Sequence, residues 1–414
     1  MGLAPIEALA LSMQGSHWVL YCAYLAESAC GGARKAGSCD DLACVDEKAA
    51  SPIRGTGGSQ VKGLVLSGGS GTRLRPLTYT GAKQLVPLAN KPILFYVIED
   101  LVRSGITDIG IVVGDTGRQI RDAVGDGTQF GCTVTYIDQG HPGGLAHAVI
   151  CARDFLGDDR LVMYLGDNFI HGGIAEHVAA FRGSNATAHL LLHPVPNPQA
   201  FGIAEVENGR IVSLEEKPSH AKSNLALVGI YFFDQQVHEA VRAIQPSWRN
   251  ELEITDAISY LLKSGLEVRP RVLSGWFIDT GKKDDLLEAN RLVLQDIHPK
   301  NDGSVGDDCK IQGNVVVESG ATVVSSTLHG PLIVGPGARI EHSYIGPFSA
   351  IGARCLIRNS EIEHTIVMEG SRILDVPHRI DDSLIGREVT LERSTKVPKA
   401  YKLMLGDHSM IDTI

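Results

Sequence analysis

A chain of 414 residues, 43% of them apolar and 21% charged, has the composition of a globular protein and room for two or three domains of ~100–200 residues each. Its 38 basic residues stand against 48 acidic ones, a net charge of −10, which argues against a nucleic-acid polymer or an anionic membrane as partner, because both attract a positive surface. A small phosphate-rich ligand stays open, since it needs only a local basic cluster, and the 46 glycines, above the ~7% of an average chain, call for regions built on tight turns.

The first 60 residues lack steady periodicity and end in the Gly/Ser/Thr stretch Arg54–Gln60, which reads as a loose extension with a linker. The apolar run from Leu3 to Leu25 is broken by Glu7, Gln14, Ser16 and His17 and carries no basic n-region, so it reads neither as a membrane span nor as a signal peptide. A cytoplasmic protein is expected. Cys22, Cys30, Cys39 and Cys44, at spacings of 8, 9 and 5, match no common zinc pattern. Cys132, Cys151, Cys309 and Cys355 read as small buried hydrophobes.

From Val61 strands and helices alternate. A short apolar run over 62–66 precedes the Gly-rich segment 67–73. A helix is expected over 92–104, with Pro92 in its first turn, Gly105 at its stop, and Ile93, Val97 and Leu101 on one face. Strands follow over 109–113, 133–137 and 161–165, with a helix over 145–155 between the last two. Such alternation argues for an α/β domain with a mostly parallel sheet covered on both faces, in which ligands bind beyond the carboxyl ends of the strands. The loops at 67–73 and 166–168 would lie there.

After a linker at 298–304 aliphatic residues recur every six. Val305, Ile311, Val317 and Val323 form one series, and Ile345, Ile351 and Ile357 another, with Gly after two of them. This is the hexapeptide signature of a parallel β-helix, one aliphatic side chain per short strand pointing inward.

The chemistry concentrates in the first region. In Leu66-Ser-Gly-Gly-Ser-Gly-Thr-Arg73, Gly68, Gly69 and Gly71 let backbone N–H groups approach an anion, and Arg73 supplies a bidentate cation. The segment is neither a dinucleotide fingerprint nor a Walker loop, and alone it is as often a tight turn as a site. Lys83-Gln84, Asp138-Gln139, Gly143-Gly144, Gly166-Asp167-Asn168, Phe201-Gly202, Glu215-Glu216-Lys217, Arg249 to Thr255 and Asp279-Thr280-Gly281 follow in order.

Taken together, these motifs over 61–297 resemble the sugar-1-phosphate nucleotidyltransferases, in particular the long-form thymidylyltransferases with a C-terminal left-handed β-helix. The resemblance implies a Rossmann-like nucleotidyltransferase domain with a mixed, mostly parallel sheet over 61–297, followed by a left-handed parallel β-helix over 305–414. It implies Mg²⁺-assisted transfer of a thymidylyl group from dTTP to glucose-1-phosphate, releasing pyrophosphate and giving dTDP-glucose for deoxysugar biosynthesis. Positioning and charge neutralisation dominate such a transfer, and the sugar phosphate, already anionic, needs no strong base.

By the same resemblance Leu66, Gly68, Gly69, Gly71 and Thr72 hold the nucleotide, and Arg73 the β/γ-phosphates. Lys83 bridges the phosphates at the reacting centre, and Asp167 is catalytic and binds Mg²⁺ together with Asp279. Gln84, Gln139 and Gly144 read the base; Gly202, Glu216, Lys217, Val228 and Arg249 take the sugar phosphate. A Gln amide suits the thymine or uracil edge without settling the methyl group. Two positions depart from the short-form pattern, Gly143 where Asp is frequent and Ser67 where Ala is common. Helix N-capping is the bland alternative for both aspartates, and an exposed charged turn that for Glu215–Lys217.

Uridylyl transfer to glucose- or N-acetylglucosamine-1-phosphate keeps every one of these roles, and a sensor that binds sugar nucleotides without turnover is the alternative outside catalysis. The β-helix raises acyl transfer through His329, His342, His364 or His378, although a His in such a coil is more often a corner residue; by resemblance such tails serve assembly or regulation, and a homo-oligomer is expected. Val61-Lys-Gly-Leu-Val-Leu66 resembles the family's usual beginning with Val for Met, as an internally read GTG start codon would give, so residues 1–60 are expected to lie ahead of the working start.

Overall fold

The computed structural model describes residues 60–69, 71–397 and 400–412, and the expectations for the N-terminal extension and its cysteines fall outside these residues. The apolar run after Gln60 forms β1 (Val61–Ser67), buried almost throughout, as a strand covered on both faces requires. It lies inside a nine-stranded sheet. Next comes α1 (Ile93–Arg103), which follows Pro92 and buries Ile93, Leu94, Val97, Ile98 and Leu101 on one face. Strand β2 (Asp108–Val113), α2 (Gly117–Val124) and β3 (Thr133–Asp138) continue the alternation.

The helix expected over 145–155 is two, α3 (Leu145–Cys151) and α4 (Arg153–Leu156). Buried Ala152 leaves helical geometry at φ −86°, ψ 3°. The break seats Phe155 on Gly110 of β2, where a Cβ would lie only 2.7 Å from the ring. Strand β4 (Arg160–Leu165) then returns beside β1.

The second half of the domain is less parallel than the alternation suggested. After β5 (Asn168–Ile170) and α5 (Ala175–Arg182) come β6 (Ala188–Pro194), β7 (Gly202–Glu207), β8 (Arg210–Glu216) and β9 (Leu225–Phe233). Strand β9 runs antiparallel to β4, β6 and β7, and β7 to β8. The turn between β7 and β8 is Asn208-Gly209, both at positive φ (50° and 75°), the dipeptide that closes a tight antiparallel hairpin. Helices α6 (Val237–Ala243) and α7 (Ile254–Lys263) lead to β10 (Val268–Val272), parallel to β6; β11 (Phe277–Asp279) pairs antiparallel with β5, and α8 (Lys283–Gln295) ends this part. Among the described residues no helix is long and apolar enough to cross a membrane.

Between Lys300 and Glu392 strands of two or three residues stack into three parallel sheets of six, six and four strands, the β-helix the six-residue period called for. Ladder partners lie 16 to 18 positions apart, as in Ala350–Ile366, Ile333–Ala350 and Ile366–Leu384. Val317, Val323, Ile345, Ile351 and Ile357 point inward and are fully buried. Ile311 departs from its series: it is 44% exposed. Its strand, Lys310–Gln312, ends its sheet and pairs on one side only, with Thr327–His329.

One face of the β-helix closes on the first domain. Ile333, Ala350, Ile366 and Met368 share a buried cluster with Leu74, Val86, Leu88 and Ile93, and with Leu286 and Leu287 of α8. Fully buried Asn290 stitches this contact. Its Oδ1 accepts from the Ala89 N–H (2.8 Å), and its Nδ2 donates to the Phe348 carbonyl (3.0 Å). Asn290→Ala leaves the Ala89 N–H and the Phe348 carbonyl without their partner at this contact, each worth roughly 1–3 kcal/mol if not rehydrated. The variant is expected to lose about 2–4 kcal/mol of unfolding free energy, read as a lower denaturation midpoint.

Candidate active site

The register of the parallel strands gathers the chemistry. Ser67 pairs with Val113, Val113 with Asp138 and Leu66 with Leu165. The segments after β1, β3 and β4 therefore emerge at one end of the sheet, carrying Gly68, Gly69, Gly71, Thr72 and Arg73, Gln139 and Asp167. Gly68 and Gln139 are in contact: a Cβ on Gly68 would stand 2.8 Å from Gln139 Oε1. Gly69 has open space around it. Gly71 adopts φ 61° and lies against Thr78 and Lys83, its Cβ position 3.1 Å from Lys83 Cβ, so the Gly-rich loop folds back onto the lysine.

Strand pairing joins the two aspartates, 112 positions apart in sequence. Asp279 on β11 pairs with Asn168 on β5, next to Asp167. Buried Thr280 secures the turn, donating from its hydroxyl to the Asp167 carbonyl at 2.7 Å. Neither aspartate caps a helix: β5 follows Asp167, and α8 starts after Lys282. Lys83 is ion-paired with Asp167 and stands 3.8 Å from Asp279 Oδ1. Burial and the neighbouring Asp167 push the Asp279 carboxyl up to about 6, against the pull of Lys83 and Arg73. Arg73 is exposed and turns its guanidinium to Gly281, 3.1 Å from where a Cβ would be.

This donor set fits a hard divalent cation. Two carboxylates crowd one ammonium, and one of them is strained as an anion. Among the described residues no group of three or more His, Cys, Asp and Glu gathers as a metal cage. Mg²⁺ is commonly held by one or two carboxylates together with phosphate oxygens and water.

Gln84 is buried, and among the described residues its Oε1 has no hydrogen-bond partner; neither has the Oγ of buried Ser67. A Cβ on Gly166 would lie 2.7 Å from that Oγ and 3.4 Å from Gln84 Cγ. Leu66 is buried, and its carbonyl takes the Gly166 N–H (2.9 Å). Thr72 is exposed at the start of a single 3-10 turn. Gln139 Nε2 donates to the Gly144 carbonyl at 3.1 Å.

On the other flank Gly202 abuts Thr255 and Glu216, its Cβ position 2.8 Å from Thr255 Cγ2 and 3.0 Å from Glu216 Oε2. Lys217 (φ 45°) lies 3.6 Å and Arg249 3.7 Å from Glu216 Oε1. Burial raises the Glu216 carboxyl above its ordinary range, with Lys217 and Arg249 opposing. Arg249 also pairs with Glu251 and, at 3.3 Å, with buried Glu253. Three carboxylates thus surround a cation expected to meet a phosphate. Val228 buries its side chain and offers its carbonyl to Asn168 Nδ2 at 2.8 Å. The two flanks are tied by backbone: the Leu252 N–H donates to Gly143 (2.8 Å) and its carbonyl accepts from Ala146 (3.1 Å).

The motif reading gave no roles to Asn168, Thr280, Glu253 or Thr255, although each sits inside a quoted motif. Buried polarity, which a sequence does not display, is what marks them. Of the β-helix histidines, His342 and His364 occupy positive-φ corners, and His329 and His378 are exposed.

A family model for nucleotidyl transferases matches residues 62–296. The chain belongs to the nucleotidyl transferase family. It is 52% identical over 350 residues to a glucose-1-phosphate thymidylyltransferase of Streptomyces griseus, covering 84% of this chain and 98% of that one. It is 44% identical over 356 residues to the low-salt glycan biosynthesis nucleotidyltransferase Agl11 of Haloferax volcanii, covering 85% and 99%. Among solved structures, one described as a glucose-1-phosphate thymidylyltransferase from Bacillus anthracis matches with 37% identity and a TM-score of 0.54, over 58% of this chain and 98% of that one.

Gly144 supplies a check on the loop geometry. Its φ is 99°, and a Cβ there would stand 2.5 Å from the Leu252 carbonyl oxygen. Gly144→Ala is expected to cost at least about 2 kcal/mol, measured by thermal unfolding, because neither backbone can yield.

Proposed function

We propose that this protein transfers a thymidylyl group from dTTP to glucose-1-phosphate, forming dTDP-glucose and pyrophosphate. The observation that carries the reading is the Lys83, Asp167 and Asp279 cluster beside the Gly-rich loop, at the shared carboxyl end of β1 and β4. Relatives bearing that activity's name match over nearly their whole length.

A phosphate oxygen of glucose-1-phosphate attacks the α-phosphorus of dTTP, and the bond to the β-phosphate oxygen breaks as pyrophosphate leaves. Gly68, Gly69, Gly71 and Thr72 present backbone groups to the triphosphate, with Leu66 shaping the strand end behind them. Arg73 neutralises charge on the departing pyrophosphate. Lys83, freed from its carboxylates as the phosphates arrive, bridges them at the reacting centre. Asp167 and Asp279 would hold Mg²⁺, which when bound supplies charge neutralisation on the phosphates. Gln84, Gln139 and Gly144 face the base. Gly202, Glu216, Lys217, the Val228 backbone and Arg249 receive glucose-1-phosphate, Glu216 accepting from its hydroxyls and the cations taking its phosphate. We assign the β-helix to assembly of a homo-oligomer, and residues 61–297 and 305–414 to catalysis and assembly respectively.

The test is pyrophosphate release by the purified protein with dTTP or UTP against glucose-1-phosphate and N-acetylglucosamine-1-phosphate. Turnover is expected with dTTP and glucose-1-phosphate and is lost on chelation by EDTA; silence with both triphosphates refutes the assignment. Lys83→Met is expected to lower kcat by about 10²–10³ with a folded protein by circular dichroism. Arg73→Ala should weaken kcat/KM for the triphosphate more than for the sugar phosphate.

A further inference from the structure

The carboxamide of Gln139 has its orientation fixed from one side. The Gly144 carbonyl can only accept, so the atom 3.1 Å from it is the donor Nε2. The same nitrogen lies 3.4 Å from His147 Nδ1. His147 is on α3 and half-buried. Burial, and then His141, whose ring centroid is 4.4 Å away, hold the imidazole below its ordinary titration range. That favours the neutral ring; in the tautomer with its proton on Nε2, which is 3.6 Å from Cys151 Sγ one turn along the helix, Nδ1 is an acceptor. In that tautomer both N–H groups of Gln139 are taken by protein. What remains is Oε1, held over Gly68.

The departure at position 143 has its reason here. A Cβ on Gly143 would come within 2.8 Å of Cγ and Nδ1 of His147. The ring reaches Gln139 because residue 143 has no side chain.

We infer that His147, given space by Gly143, is a positioning residue for base selection: it holds Gln139 with its carbonyl oxygen outward, so that the site accepts a pyrimidine carrying a ring N3–H and rejects one whose N3 is a bare acceptor. Thymine and uracil present that hydrogen. Cytosine presents a lone pair, which faces Oε1 as acceptor against acceptor. The inference rests on the proposed role of Gln139 at the base and deepens it.

The experiment compares binding of dTTP and dCTP, each with Mg²⁺, by calorimetry for the wild type, His147→Leu, His147→Asn and Gly143→Ala, alongside turnover with glucose-1-phosphate. The wild type is expected to prefer dTTP. His147→Leu removes the acceptor and is expected to reduce the dTTP-over-dCTP preference by about three- to tenfold, the worth of one hydrogen bond between neutral groups. Gly143→Ala, which displaces the ring, should do the same. His147→Asn, whose Oδ1 can replace Nδ1, should restore the preference, which a merely structural role would not predict. The KM for glucose-1-phosphate should stay unchanged. An unaltered preference in folded His147→Leu, or a wild type that binds both nucleotides equally, overturns the inference. Absence of turnover with a preference that still follows residue 147 refutes the proposed reaction and leaves the role of His147 standing.

Discussion

Everything at the candidate site depends on two carboxylates being held within reach of one ammonium. Asp167 and Asp279 come from distant parts of the chain and would repel each other in any loose arrangement. The short β5–β11 pairing and the Thr280 hydroxyl force them together, and Lys83 makes the arrangement tolerable. The unfavourable part persists in the Asp279 carboxyl, whose affinity for a proton is raised. A site strained in this way is ready for positive charge, as the Mg²⁺ of the proposed reaction would bring.

Much of this was readable before any coordinates. Central strands buried on both faces announce themselves as apolar runs, so β1, β2 and β4 and the loops beyond them could be placed from periodicity and glycine alone. The β-helix was visible because each short strand must supply one inward aliphatic residue. The antiparallel half was harder. Its outer strands β8 and β10 are largely exposed, while the apolar runs of β6 and β9 announce burial without announcing direction; the one strong local sign of an antiparallel turn is Asn208-Gly209. The continuous helix over 145–155 failed because the need to pack Phe155 against Gly110 is a tertiary demand that no local propensity encodes.

The candidate residues show the same division. Glycines at positive φ and paired cations leave marks in sequence. Partnerships do not. Nothing in the spacing of Arg249 reveals that three carboxylates converge on it, nor that Glu216 is raised by burial while being steadied by two cations. Arg249 is consequently better suited to exchanging partners than to waiting bare for a phosphate, and substrate binding at that flank would be a rearrangement among charges already present.

The interface between the two folded parts bears on modularity. Leu74 lies one residue after Arg73, and Leu88 and Ile93 follow Lys83 closely; all three are sealed by β-helix residues such as Ile333, Ile366 and Met368. A catalytic unit cut off at the end of α8 would present this apolar ground to solvent. A lineage could shed the tail only by recolouring that patch with polar side chains or by covering it with another protomer. The long form is therefore not a short enzyme with an appendix. Its tail and the residues that follow its Gly-rich loop share one hydrophobic cluster, so a change on one side is felt on the other.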